Sequence, residues 1–181
     1  MRKLANSELN RLSLEDYRNA SKMPVIIILD NVRSLNNIGS VFRSADAFRV
    51  EAIYLCGITA RPPHREISKT ALGATESVKW KYFEETIQAV NELQKNGYRI
   101  VAIEQADDSI MLDKWNPDPE ENIAVVFGHE VNGVQDNVVE GADLCVEIPQ
   151  FGTKHSINIA VSAGMVIWQL FLAYRDFLYE K

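Results

Sequence analysis

The amino-acid sequence predicts an α/β domain, a mostly parallel sheet flanked by helices. Strand-like and helix-like segments alternate along most of the chain. The first strand-like run, Val25-Ile26-Ile27-Ile28-Leu29, is an unbroken apolar block of the kind covered on both faces. Three loops that follow strands are polar where a parallel sheet gathers its ligands, at strand carboxyl ends.

Taken in order, residues 1–22 carry Leu4, Leu9, Leu12 and Tyr17 at spacings that predict a short helix ended by Pro24. After the strand at 25–29 and a polar loop, Val41, Phe42, Ala45 and Phe48 mark a helix. Ala52–Cys56 is a second strand. Residues 59–70 are basic and irregular, with Pro62-Pro63 blocking helix. A strand near Ser77–Tyr82 precedes a helix through Ile87, Val90 and Leu93 that stops at Asn96-Gly97. Tyr98–Ile103, Ile123–Phe127 and Leu144–Ile148 are further strands, and 107–122, with its Asn116-Pro117-Asp118-Pro119, is a surface loop. The long apolar segment that closes the chain is a helix.

Bulk composition excludes several classes. With 46% apolar and 24% charged residues among 181, the chain has the makings of one folded domain and is not disordered. Cys56 and Cys145 lie in apolar runs without metal-ligand spacing and read as reduced, buried thiols of a cytoplasmic protein. No apolar run follows Met1-Arg2-Lys3 before Pro24, so no signal peptide is expected. Ser156–Tyr174 holds no charge and is long enough for a bilayer, roughly 28 Å as helix. Asn158, Ser162 and Gln169 within it, and the lack of flanking basic clusters, favour a helix buried in a core or subunit interface. The net charge of −6 is uneven: residues 1–81 hold 13 Lys+Arg against 8 Asp+Glu, and residues 82–181 hold 6 against 17. A polyanion would therefore meet the N-terminal half.

The three polar loops carry motifs. The first reads Asn36-Asn37-Ile38-Gly39-Ser40-Val41-Phe42-Arg43-Ser44-Ala45-Asp46-Ala47-Phe48. The second reads Val125-Val126-Phe127-Gly128-His129-Glu130-Val131-Asn132-Gly133-Val134. The third runs from Ile148-Pro149-Gln150-Phe151-Gly152 through Thr153-Lys154-His155-Ser156-Ile157-Asn158 to Ser162. In this order and spacing they make residues 24–175 resemble the SpoU (TrmH-like) family of the SPOUT class of RNA methyltransferases. The one small departure is Ser156-Ile157-Asn158, where Ser-Leu-Asn is commoner.

The resemblance implies a deep trefoil knot in the C-terminal part, S-adenosylmethionine held in it, a homodimer, no metal, and methyl transfer to a ribose 2′-hydroxyl of tRNA or rRNA. Residues 1–22 form a helical extension to the methyltransferase domain at 23–181, too short for a separate RNA-binding domain. By the same resemblance Asn37, Arg43, Glu130, Ser156 and Asn158 carry the reaction. Gly128, Ile148, Ser156, Ile157 and, less directly, Ile103 hold the cofactor.

Physical chemistry constrains those roles. A guanidinium with a pKa above about 12 is no base at neutral pH, so Arg43 suits a bidentate grip on a phosphate beside the target ribose. Asn37 and Ser156 each read as N-caps of the helices that follow them. Gly128 and Gly133 let the backbone turn tightly around Glu130. His129 reads as loop surface. Arg61, Arg65, Lys69 and Lys154 are candidates for the RNA backbone. Trp168, Phe171 and Tyr174, at helical spacing, belong to a core or dimer contact. Two alternatives share the fold, a base-methylating enzyme and a non-catalytic RNA-binding protein. The Asn37–Arg43 pair argues against the first and the intact polar set against the second. A nicotinamide-dependent dehydrogenase would need a GxGxxG after the first strand, and Asn37-Ile38-Gly39-Ser40 does not supply it.

Overall fold

Strand β1 (Met23–Asp30) lies in the interior of a seven-stranded sheet in a computed structural model that describes residues 1–179. Its apolar run is buried on both faces, as an unbroken β-branched block requires. Val25, Ile27 and Leu29 point into one core with Val41, Phe42 and Ile167. Ile26 and Ile28 point into the opposite core with Val90 and Leu93.

Around β1 lie β2 (Val50–Cys56), β3 (Lys79–Phe83), β4 (Tyr98–Ile103), β5 (Ile110–Met111), β6 (Asn122–Phe127) and β7 (Leu144–Glu147). The order across the sheet is β3-β2-β1-β6-β4-β7-β5, and every pairing is parallel. Ile27 pairs with Ile53 on one side and Val125 on the other. The chain lays down β1, β2 and β3 outward in one direction, then returns to build β4 and β6 on the other side of β1. Order reversal of this kind opens a crevice at the carboxyl ends of the strands. Here the strand neighbours β1, β6, β4 and β7 deliver the loops after Asp30, Phe127, Ile103 and Glu147 to one edge.

Helices cover both faces. Helices α1 (Leu14–Asn19), α2 (Leu35–Ala47), α3 (Arg65–Ala71), α4 (Ala74–Ser77) and α7 (Ile159–Tyr179) lie on one side. Helices α5 (Thr86–Lys95) and α6 (Asp136–Glu140) lie on the other. Tyr17 of α1 is buried in the core beside β1. Tyr174 of α7 is buried too, and its hydroxyl donates to the carbonyl of Glu121 (2.6 Å), with that of Asp118 at 3.1 Å. Among the described residues no helix is long and apolar enough to cross a membrane.

The structure departs from the sequence reading at several points. Pro24 does not end a helix; it lies near the start of β1, where the pairing with β2 shifts register between Met23 and Ile26 and a missing N–H is tolerated. The N-terminal helix is only Leu14–Asn19, preceded by a 3-10 turn at Asn6–Glu8, and Leu4, Leu9 and Leu12 are exposed. The segment read as irregular holds α3, which starts at Arg65; His64, next to Pro62-Pro63, caps it, its Nδ1 accepting from Glu66 N (3.2 Å). Within 107–122, Ile110–Met111 adds an edge strand and Leu112 and Trp115 are buried in the core. Cys56 is buried and Cys145 half-buried; both are free thiols. Burial pushes the Cys56 thiol up to about 12.

Candidate active site

A cavity of about 770 Å³ opens at the carboxyl ends of β4, β6 and β7. Its size suits a nucleoside-sized ligand. Of the residues singled out from the sequence, Ile103, Gly128, Glu130, Ile148, Ser156, Ile157 and Asn158 line it. Ile103 closes β4, Ile148 follows β7 and Ile157 precedes α7, so three branched apolar side chains come from three separate segments.

The turn between β6 and α6 is the most constrained part. His129 and Gly133 exchange two backbone hydrogen bonds at 2.9 Å. His129 also turns its ring inward, Nδ1 accepting from Val131 N (3.0 Å) and Asn132 N (3.2 Å). It is therefore a builder of the turn rather than plain loop surface. A Cβ on Gly128 would lie 2.0 Å from the carbonyl carbon of Gly133, and Gly133 has φ of +69°. Side chains at either position would push the turn apart.

Two carboxylates fix this turn from outside, and neither was foreseen from the sequence. Glu104, which follows β4 and lines the cavity, accepts from Val134 N (3.0 Å) and Gln105 N (2.9 Å). Asp30, fully buried at the end of β1, accepts from Asn31 Nδ2, Thr86 Oγ1, Gln135 N and Gln135 Nε2. A buried carboxylate of this kind is stable only with such donors, and here they tie β1, α5 and the start of α6 together. The signal for Asp30 was its place at the end of an all-apolar strand. For Glu104 there was none beyond its following a strand.

Glu130 joins the first loop to the second. Its carboxylate accepts from Arg33 N (3.1 Å), Ser34 N (2.9 Å) and Asn37 Nδ2 (3.4 Å). Burial opposes its charge, but the donors of Arg33, Ser34 and Asn37 outweigh this and hold the carboxyl below the usual range. Asn37 passes the connection on, its Oδ1 accepting from Asn158 Nδ2 (3.2 Å). One side chain from each motif thus forms an unbroken chain, Asn158 to Asn37 to Glu130, with Glu130 and Asn158 on the cavity wall.

The capping roles differ from the sequence reading. Ser34 caps α2, its Oγ accepting from Asn37 N (3.3 Å), so Asn37 lies inside the first turn with its amide free for the site. Asn158 caps α7, Oδ1 accepting from Ala160 N (2.9 Å), whereas Ser156 is exposed in the preceding loop. That loop is held to the end of β4 by Gln105 Nε2, which donates to His155 O (2.9 Å).

Arg43 is exposed on α2 and does not line the cavity; among the described residues it makes no ion pair or side-chain hydrogen bond. Arg61 lies 4.2 Å over the Tyr82 ring, and Lys69 is paired with Glu66 at 2.7 Å. Arg65 and Lys154 are exposed without such partners among the described residues. No three His, Cys, Asp or Glu side chains among those residues gather to hold a metal ion. Phe171 packs against Phe48 (ring centroids 5.2 Å apart), while Trp168 is half exposed.

Fold and site together define a doubly covered parallel α/β domain with a nucleoside-sized cavity at its order reversal and a polar rim contributed by three loops. The chain belongs to the SpoU rRNA Methylase family, whose model matches residues 24–168. It is 33% identical over 159 residues to the 23S rRNA (guanosine-2′-O-)-methyltransferase RlmB of Neisseria meningitidis, covering 87% of this chain and 62% of that one. A putative TrmH family tRNA/rRNA methyltransferase of Staphylococcus aureus is 24% identical, over 90% and 64% of the two chains. This chain therefore spans slightly under two thirds of the curated relatives it matches. The fold is shared with the A. aeolicus TrmH/SpoU tRNA modifying enzyme, with a TM-score of 0.79, 23% identity, and coverage of 91% and 83%. It is shared also with an AdoMet-bound rRNA methyltransferase of Sinorhizobium meliloti, with a TM-score of 0.76, 22% identity, and coverage of 84% and 60%.

Proposed function

We propose that this chain transfers a methyl group from S-adenosylmethionine to a ribose 2′-hydroxyl of tRNA or rRNA. The observation that carries the reading is the Asn158–Asn37–Glu130 chain of hydrogen bonds at the rim of the cavity. It is a set of fixed polar groups beside a pocket whose size and mixed lining fit the cofactor. Ile103, Ile148 and Ile157 offer apolar walls for adenine, and the Gly128–Gly133 turn offers close backbone.

S-adenosylmethionine, when bound, supplies a methyl already activated by its sulfonium, so the chain's own work is positioning. Holding two reactants in a productive geometry is worth up to roughly 7–11 kcal/mol. Glu130 and Asn158 lock Asn37 so that the remaining capacity of these polar groups orients the ribose. Arg43, exposed and without an ion pair among the described residues, grips a phosphate of RNA lying across the rim. Arg65 and Lys154, then Arg61 and Lys69, add sequence-independent attraction for the RNA backbone.

The working unit in this reading is a homodimer in the cytoplasm, where Cys56 and Cys145 stay reduced. Val161, Met165, Trp168 and Leu172 form an exposed apolar stripe along α7, each 39–51% exposed. A stripe of this kind suits burial against a second copy. The C-terminal knot implied by the resemblance belongs to the same reading and involves the 148–158 segment that Gln105 holds. Residues 1–22 act as an extension to the domain at 23–181.

The test is methyl transfer from radiolabelled S-adenosylmethionine to total tRNA and, separately, rRNA from cells lacking the protein, with Arg43→Ala as control. Label in one pool, recovered as 2′-O-methyl nucleoside and absent with the variant, is the expected result. Cofactor binding without transfer to either pool would leave a non-catalytic RNA-binding protein. No cofactor binding would overturn the reading.

A further inference from the structure

A second cavity, of about 550 Å³, borders the same 129–134 turn. His129, Asn132, Gly133, Val134 and Asp136 border both cavities, while Asn31, Ile58, Gln135 and Asn137 border only the second. Two of its wall residues are already committed to structure. Asn31 Oδ1 accepts from Ile58 N (3.1 Å), and Gln135 is tied to Asp30. Three neutral polar side chains remain, beside the carboxylate of Asp136. Because His129 Nδ1 accepts from two backbone N–H groups, its neutral ring carries the proton on Nε2, which is left as a donor. The side-chain amides of Asn132 and Asn137 have no hydrogen-bond partner among the described residues. Ile58 adds an apolar surface that is 63% exposed.

The chemistry of this lining selects its ligand. The only charged side chain on the wall is Asp136, so a phosphate finds no cation there and meets a carboxylate. Two amides and an imidazole donor suit the edge of a flat, neutral heterocycle, since primary amides pair with adjacent donors and acceptors on a base edge. A branched apolar side chain beside them suits its face.

We propose that this second cavity is a nucleobase subsite for the RNA substrate, using Ile58 against the base face and His129, Asn132 and Asn137 against its edge. It rests on the methyl-transfer reading for the identity of the RNA, and it gives that reading a source of base selectivity. Glu130 immediately follows His129 in the turn that borders both cavities, which brings a base held in the second close to a ribose held at the rim of the first.

The test separates base recognition from methyl transfer. Fluorescein-labelled single-stranded octamers of A, U and C, and an abasic ribose-phosphate octamer, are titrated by anisotropy in the presence of S-adenosylhomocysteine. Wild type, Ile58→Asp and Asn137→Ala are compared, both positions being exposed. The wild type is expected to prefer at least one base-bearing octamer over the abasic one by about tenfold or more. Both variants are expected to lose that preference, while Asn137→Ala keeps wild-type affinity for the abasic strand and both keep wild-type affinity for S-adenosylhomocysteine. A wild type with no preference, or variants that retain it, would overturn the subsite. Variants that lose S-adenosylhomocysteine binding would do so too, by making the cavity part of the turn's own architecture. Absence of methyl transfer by the wild type in the separate transfer assay would instead strike the underlying reading, because the anisotropy preference does not depend on turnover.

Discussion

The side-chain amide of Asn37 donates to the carboxylate of Glu130 at 3.4 Å across 93 residues of sequence. The same carboxylate accepts from the backbone of Arg33 and Ser34. Glu130 therefore anchors the whole entry to α2. Replacing it with alanine leaves two backbone donors without their acceptor and is expected to cost about 1–3 kcal/mol of stability, measured by urea denaturation. Methyl transfer is expected to fall further than cofactor affinity.

The pH dependence of stability follows from the same contacts. The folded-state carboxyl of Glu130 titrates below its unfolded value, near 4.3. Its contribution is fully present above the unfolded value and is lost as pH falls through the lower, folded one. Glu130→Gln is therefore expected to lose less stability than wild type on acidification below about pH 4. Parallel denaturation curves down to pH 3 check this, and curves of equal slope for the two proteins would argue against it.

Gly128→Ala is expected to abolish binding of S-adenosylhomocysteine by calorimetry while leaving the far-UV spectrum intact. The added Cβ would stand 2.0 Å from Gly133, so the turn must open at the cavity wall. Retention of wild-type affinity would mean that this turn is not the cofactor wall.

Asp30→Ala removes a buried acceptor shared by four donor groups, and a loss of at least about 1–3 kcal/mol is expected. Asp30→Asn keeps the size but makes one acceptor a donor facing other donors, so it is expected to be destabilised as well. Equilibrium unfolding of both variants measures the difference.

Met165→Glu and Trp168→Asp place charge on the exposed stripe of α7. Sedimentation is expected to find a wild-type dimer and monomeric variants. A wild type that sediments as a monomer at micromolar concentration would remove the homodimer from the proposal.

Much of the sheet was legible because its signal is local. Val25–Leu29, Tyr98–Ile103 and Ile123–Phe127 announce themselves by consecutive apolar residues, which in a doubly covered sheet face both cores. Helix α3 is hidden in the sequence by Pro62-Pro63, although a proline pair excludes helix only where it stands. The edge strand at Ile110–Met111 is two residues long and carries no period. Asn37 and Ser34 are chemically equivalent as N-caps in the sequence, and only the structure shows that Ser34 caps α2.

The sequence by itself determined that the chain is α/β, where six of the seven strands lie, and that three polar loops follow strands. Local burial periodicity and turn chemistry are enough for that. Only the tertiary structure decided that β1, β6, β4 and β7 are neighbours, and hence that Asn37, Glu130 and Asn158 meet. It alone revealed Asp30 and Glu104 as the anchors of the turn. Strand order is settled by packing between residues far apart in the chain, and hydrogen bonds spanning about a hundred residues leave no trace in a periodicity of two or 3.6.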